Sequence, residues 1–152
     1  MLDEGEFYVL NGGINPSGYT NTYNTNENTI SISEGGNSCG FVNLNKEKFW
    51  SGGHNYTLSK LKIDTIFLYQ YLKYIEQHIM SLRVGSGLPN IQKNRLENVK
   101  IQYSKPTEQE KIGTFFSDLD NLITLHQSKS KKDWKKVKLC YNSYNIKIGL
   151  GI

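Results

Sequence analysis

Proline, cysteine and uninterrupted apolar sequence are what this chain has least of. Three prolines and two cysteines occur in 152 residues. Cys39 and Cys140 stand far apart, with no CxxC spacing and no adjacent Cys/His partner, which excludes a disulfide framework and a zinc site and makes a reducing cytoplasm the default compartment. No apolar run approaches the ~20 residues needed to span a bilayer. The start, Met1-Leu2-Asp3-Glu4-Gly5-Glu6, is acidic where a secretory signal is basic. The expectation is a soluble, cytoplasmic protein without a membrane partner. Charged residues, at 21%, are too few for a disordered polyelectrolyte, whereas 37% hydrophobic and 12% aromatic residues suffice for a core. At this length the chain is one domain, or one domain with an appendage.

Charge is divided unevenly. Residues 1–60 hold three lysines against six acids, while residues 61–152 hold fifteen Lys and Arg against eight acids. The net +4 therefore hides a polar front and a basic back. A basic balance permits nucleic-acid binding without requiring it. The lysines Lys129, Lys131, Lys132, Lys135, Lys136 and Lys138 read as a solvated helix face.

The front holds nine of the fourteen glycines and ten asparagines, set between short apolar pieces: residues 7–10, 29–33, 40–42 and 56–58. This reads as short strands joined by long loops. The turn clusters are residues 11–18, 34–38 and 51–55. From Asp64 the period changes. Phe67, Leu68, Tyr71, Leu72, Ile75, Ile79 and Leu82 recur at three and four residues, predicting a helix over 64–83 behind an Asp N-cap. Residues 84–90 break it, Ile91 to Asn98 make a short helical turn, and Val99 to Tyr103 read as a strand. Thr107 and Glu110 fit a capping box that opens a long helix at about 107. In that helix Ile112, Phe116, Leu119, Ile123 and His126 are spaced as a heptad seam, which requires a partner helix. Trp134 and Val137 continue a shifted stripe, and residues 139–152 show neither stripe nor cap.

Catalytic chemistry finds little support. His54, His78 and His126 occupy no metal-ligand spacing, so no metal is expected. Gly53-His54-Asn55 looks like a nuclease triplet, but residues 48–63 contain no Asp or Glu to hold the metal of a hydrolytic site. Gly85-Ser86-Gly87 lacks the lysine of a phosphate loop, and the catalytic motif of adenine methyl transfer is missing. A binding surface remains. Loop Asn, Ser, Thr and Tyr joined to Lys93 and Arg95 supply groups that bond base edges and phosphates. Carbohydrate or peptide recognition draws on similar residues, and composition alone does not choose.

Five blocks stand in a particular order: Asn11 to Tyr19, Ile30 to Val42, Phe49 to His54, Gly85 to Ile91, and Pro106 to Gly113 continued by Leu119 to Gln127. As an ordered set over residues 11–126 they resemble the specificity subunit of type I restriction-modification systems. The resemblance implies an α+β fold: a small mixed sheet with long loops as a DNA target-recognition domain over 1–104, then a long coiled-coil helix over 105–138, and a tail over 139–152. It implies that the domain grips one half of a bipartite double-stranded DNA site. The helix packs antiparallel with a second such helix and docks modification (methyltransferase) subunits alongside a restriction subunit. The chain itself is non-catalytic and carries no cofactor; adenine chemistry and S-adenosylmethionine belong to the methyltransferase. On the matching blocks and their flanks the DNA contacts are Ser17, Tyr19, Asn37, Ser38, His54, Asn90, Gln92, Lys93 and Arg95, and the association seam is Ile112, Phe116, Leu119, Ile123 and His126. A full subunit of this family has two recognition domains and two helices, so one of each implies a half subunit or a fragment, with early strands of the domain missing. A half subunit dimerises and reads an inverted repeat.

Overall fold

Strand formers and turn formers alternate so closely through the first sixty residues that no strand exceeds five residues. The structure, a computed structural model, describes the backbone of residues 1–148 and the side chains of residues 1–132. Its strands are β1 (Phe7–Leu10), β2 (Gly18–Thr20), β3 (Thr29–Ser33), β4 (Val42–Asn45), β5 (Trp50–Ser51) and β6 (Asn55–Thr57). The helices are α1 (Thr65–Tyr74), α2 (Glu76–Ser81), α3 (Lys93–Glu97) and α4 (Pro106–Ile148). The expected α+β class is what the chain adopts. It divides into two compact units, the first spanning Met1–Thr114 and the second beginning at Phe115.

Two three-stranded sheets build the first unit. One has the order β2-β1-β5, with β1 antiparallel to β2 and parallel to β5; the other has the order β4-β3-β6 and is antiparallel throughout. β2 and β5 are too short to show an alternating pattern, and the sequence does not announce them. The Asn24 side chain lengthens the β5 edge by imitating a strand: it accepts from the Ser51 amide at 2.7 Å and donates to the Ser51 carbonyl at 3.0 Å.

The core lies on one face of β3, where Ile30 and Ile32 meet Cys39, Val42, Leu68, Leu72, Ile79 and Ile91. The other face of β3 is buried too, but polar. Ser31 and Ser33 are there, beside Asn45, which is 1% exposed. Its amide donates to the Ser31 hydroxyl and the Thr29 carbonyl, both at 2.9 Å, and its oxygen accepts from the Tyr8 hydroxyl at 3.1 Å and the Asn43 amide at 2.9 Å. Tyr8 also stacks on the fully buried Phe49. A saturated amide of this kind fixes how the two sheets meet, because any other register leaves buried groups unpaired.

Several expectations are corrected. The helix over 64–83 begins as expected, with the Asp64 carboxylate capping the Phe67 amide at 2.8 Å, but it breaks at Ile75, whose ψ of 12° lies outside the helical range. There Glu76 turns inward to accept from the Val42 amide and from Lys73. The strand over 40–42 starts later, at Val42, because Gly40 takes a φ of +91° where the chain passes Met80; a Cβ there would sit 2.9 Å from the Met80 Cα. Residues 99–105 form no strand: Ile101 packs on the core, yet the segment finds no strand partner. α4 starts at Pro106, which needs no amide at the first helical position, and the Lys105 carbonyl accepts from Glu108 and Gln109. Thr107 is thus inside the first turn and is not the N-cap. The helix also continues past 138 to Ile148, there being no proline after Pro106 and no glycine between Gly113 and Gly149 to stop it. Residues 149–152 lie outside the described residues, as do the side chains of Trp134, Val137 and Cys140.

The opening of α4 is fastened to α1. Gln109, 3% exposed, accepts from the Asp64 amide at 3.0 Å and donates to the Ser104 carbonyl at 2.7 Å. Gly113 lies so close that a Cβ would approach the Phe67 amide to 3.1 Å. Replacing the other buried amide, Asn45→Ala, is expected to lower stability by about 1–3 kcal/mol, since it strands the Ser31 and Tyr8 hydroxyls. Urea unfolding checks this, and a change within error contradicts the role given to Asn45.

Candidate nucleic-acid interface

Glycine-rich loops ordinarily stay separate and mobile unless their main chains pair with one another. Here four of them pair. The Gly12 carbonyl accepts from the hydroxyls of both Ser33 and Ser38, the latter at 2.6 Å. The Asn11 side chain accepts from the His54 amide at 3.3 Å, and the His54 carbonyl accepts from the Glu34 amide at 3.1 Å. The Pro89 carbonyl accepts from the Gly36 amide at 2.9 Å, and the Glu34 carbonyl from the Ile91 amide at 2.8 Å. Asn90 is further paired with Val84 through both main-chain groups. Glycine is required at one joint in particular: Gly12 has a φ of +80°, and a Cβ on it would lie 2.6 Å from the His54 carbonyl oxygen.

These joints surround an open cleft of about 420 Å³ lined by loop residues that include Asn11, Glu34, Ser38, His54 and Asn90. Its polar groups converge. His54 Nδ1 lies 3.7 Å from Glu34 Oε2, with His54 largely exposed and Glu34 largely covered. The Tyr56 hydroxyl stands 3.1 Å from Glu34 Oε1 and 2.9 Å from the Ile91 carbonyl, both acceptors for its one proton. Burial, and then the hydrogen bond to Glu34, raises the Tyr56 pKa above the ordinary phenol value, so the hydroxyl stays a donor. Beneath the loop, burial likewise raises the pKa of the Cys39 thiol, which donates to the Glu34 carbonyl at 3.1 Å. Such a thiol packs and does not react.

Three of the nine expected contact residues, Ser38, His54 and Asn90, thus line one cleft, and Asn37 is exposed beside Ser38 on the same loop. Gln92, Lys93 and Arg95 are exposed on α3 and its N-terminal flank, a few residues beyond Asn90. Lys93 pairs with Glu97 at 3.6 Å, and Arg95 Nη1 reaches the Leu82 carbonyl at 3.5 Å. Ser17 and Tyr19 belong elsewhere, to the β1–β2 connection and to β2. Ser17 closes the connection by donating amide and hydroxyl to the Val9 carbonyl, and Tyr19 pairs its main chain with Leu2. Asn11 and Glu34 line the cleft, and Tyr56 backs Glu34 from the core side, without having been anticipated. Asn11 and Glu34 open two of the glycine clusters, and that position was the available signal.

In the second unit the described part of α4 carries exposed apolar side chains. Phe116, Leu119 and Ile123 of the expected seam are exposed, as are Phe115, Leu122 and Leu125 beside them. His126 is exposed as well, whereas Ile112, in the first unit, is half-buried. Lys129, Lys131 and Lys132 are exposed.

A short-stranded α+β domain that ties its glycine loops around an open cleft thus leads into one long helix. The family follows from comparison. The model of the type I restriction modification DNA specificity domain matches residues 3–133, and the chain belongs to that family. It is 36% identical over 133 residues to a type I specificity subunit of Mycoplasma genitalium, covering 82% of this chain and 34% of that protein. It is 35% identical over 99 residues to the specificity subunit of the type I restriction enzyme MjaVIII of Methanocaldococcus jannaschii, covering 64% of this chain and 23% of the relative. The crystal structure of the S subunit of the M. genitalium type I restriction-modification system superimposes with a TM-score of 0.71 at 36% identity, over 78% of this chain and 33% of that one. The chain spans about a third of the length of the M. genitalium relative. Among the described residues no helix is long and apolar enough to cross a membrane.

The joint at Gly12 generates a prediction. Gly12→Ala combines a positive φ with a collision against main chain, so a loss of about 1–3 kcal/mol is expected together with faster amide exchange in residues 34–38 and 53–55. Hydrogen-exchange mass spectrometry checks it. Unchanged protection in those loops contradicts the joint.

Proposed function

We propose that this chain is a non-catalytic specificity component of a type I restriction-modification system. Residues 1–104 read one half of a bipartite double-stranded DNA site. The helix from 105 onward associates with a second copy of itself and docks the modification subunits, whose methyltransferase carries S-adenosylmethionine and the adenine chemistry, with a restriction subunit alongside. The observation that carries the reading is the family match over residues 3–133, and the loop cleft adds a place where base edges are met. The relatives named above are type I specificity subunits and lend no support to the carbohydrate- or peptide-binding alternative.

The roles divide by chemistry. Ser38, His54 and Asn90, with Asn37 at the rim, supply donors and acceptors for base edges, while Gln92, Lys93 and Arg95 on the α3 side meet phosphate. The exposed Lys93–Glu97 pair is worth only about 0–1 kcal/mol, so the lysine exchanges its partner for a phosphate at little cost. Ser17, exposed although its hydroxyl donates to the Val9 carbonyl, and Tyr19, partly exposed, lie at the margin of the surface.

The association seam rests on Phe116, Leu119 and Ile123, a row of exposed apolar residues at heptad spacing. Two identical domains related by a two-fold axis read an inverted repeat. The cytoplasm, where the DNA is, is the proposed location.

Two measurements check these points. Lys93→Ala and Arg95→Ala are each expected to weaken binding to all duplexes alike and to flatten the plot of log affinity against log salt by about 0.9 for each phosphate no longer neutralised. An unchanged slope removes the phosphate role. In sedimentation equilibrium the unaltered chain is expected to dimerise and Leu119→Asp to be monomeric; a chain monomeric at all concentrations contradicts the seam.

A further inference from the structure

One group in the cleft is chemically out of keeping with a surface that meets DNA. Glu34 brings a carboxylate into the cleft wall, its side chain 28% exposed. Phosphates repel it, and among the described residues the basic side chain within 4 Å of it is His54, whose Nδ1 lies 3.7 Å from Oε2. The position of Glu34 is nevertheless closely controlled. Its amide and carbonyl are both engaged, with His54 and Ile91, and its Oε1 faces the Tyr56 hydroxyl at 3.1 Å. That leaves Oε2, on the His54 side, with acceptor capacity to offer. A carboxylate accepts and never donates, so it is satisfied at a DNA surface by a base-edge donor and by nothing on the backbone.

We propose that Glu34 is a specificity-determining residue that selects cytosine at one position of the target, by accepting a hydrogen bond from its exocyclic N4 amino group. This rests on the DNA-recognition reading above. The choice among bases follows from the major-groove pattern. Guanine presents two acceptors and thymine a carbonyl and a methyl, all of which repel or fail to satisfy a carboxylate. Adenine offers its N6 amino group, but the adjacent N7 lone pair faces the second carboxylate oxygen. Cytosine offers its amino group beside a C–H, with no lone pair in the groove. Tyr56 is a positioning residue: its hydroxyl orients the carboxylate and does not itself meet the base.

The test is selection from a library of randomised DNA duplexes by the full chain, with the bound pool sequenced for the unaltered protein, Glu34→Gln and Tyr56→Phe. The unaltered chain is expected to enrich a motif with one cytosine favoured about tenfold or more over other bases. In Glu34→Gln that position alone swings to adenine, because an amide matches N6 and N7 together. In Tyr56→Phe the cytosine preference weakens at that position and at no other. Retention of the cytosine by Glu34→Gln, or an even loss across the motif, overturns the inference and leaves the DNA reading standing. No enriched motif from the unaltered chain, with binding insensitive to salt, overturns both. Thermal melting of each variant accompanies the selection, and should Glu34→Gln unfold, Tyr56→Phe decides alone: an unchanged motif overturns the assignment.

Discussion

The Gly12 carbonyl oxygen, accepting the hydroxyl protons of Ser33 and Ser38 at once, is the constraint on which the arrangement of the loops depends. Ser33 ends the central strand β3 and Ser38 belongs to the glycine turn that follows, so one oxygen ties the β1 loop to both. His54 packs its main chain against Gly12, which is why that position accepts no side chain. From Glu34 the pairing passes to residues 89–91. Loops that by composition have little intrinsic order are thereby held by main-chain bonds and by the Asn11, Ser33 and Ser38 side chains, while the side chains of Asn37 and His54 stay exposed. This is the usual division between a scaffold that fixes backbone and a surface that varies.

The second constraint is the fastening of α4 to α1. Pro106, Gln109 and Gly113 each have a separate physical reason to be where they are: a first helical residue that needs no amide, a buried amide that bridges Asp64 and Ser104, and a close approach to Phe67. The sequence block that most specifically marks the family is therefore a helix-docking device within the first unit. The apolar residues that follow it, Phe116, Leu119 and Ile123, find no such burial and remain exposed.

What could be read from sequence was what periodicity and turn chemistry express locally. β1 and β3 were legible as apolar runs between turn clusters, and Asp64 as an N-cap. β2 and β5 were not, since two or three residues carry no period and their pairing is decided by Tyr8, Val9 and Asn24 elsewhere in the chain. Residues 99–103 misled because Val99 and Ile101 alternate in burial with their neighbours as a half-buried strand does, without a second strand to pair with. At the site, glycine clusters pointed to Ser38, His54 and Asn90, which the fold does bring together. Glu34 stands at the head of one of those clusters, but its contacts with Tyr56 and His54 are tertiary, as are the bonds of Ser17 to Val9, and composition does not announce them.

The central claim is that this chain carries sequence specificity for a partner that performs the chemistry. It is tested most directly by expressing the chain with the modification subunit of its own system in a host free of DNA methylation and mapping methylated adenines across the genome. The account predicts methylation confined to a gapped inverted repeat, set by two identical copies of the recognition domain. A modification subunit that methylates when given an intact specificity subunit but leaves no mark when given this chain would contradict it.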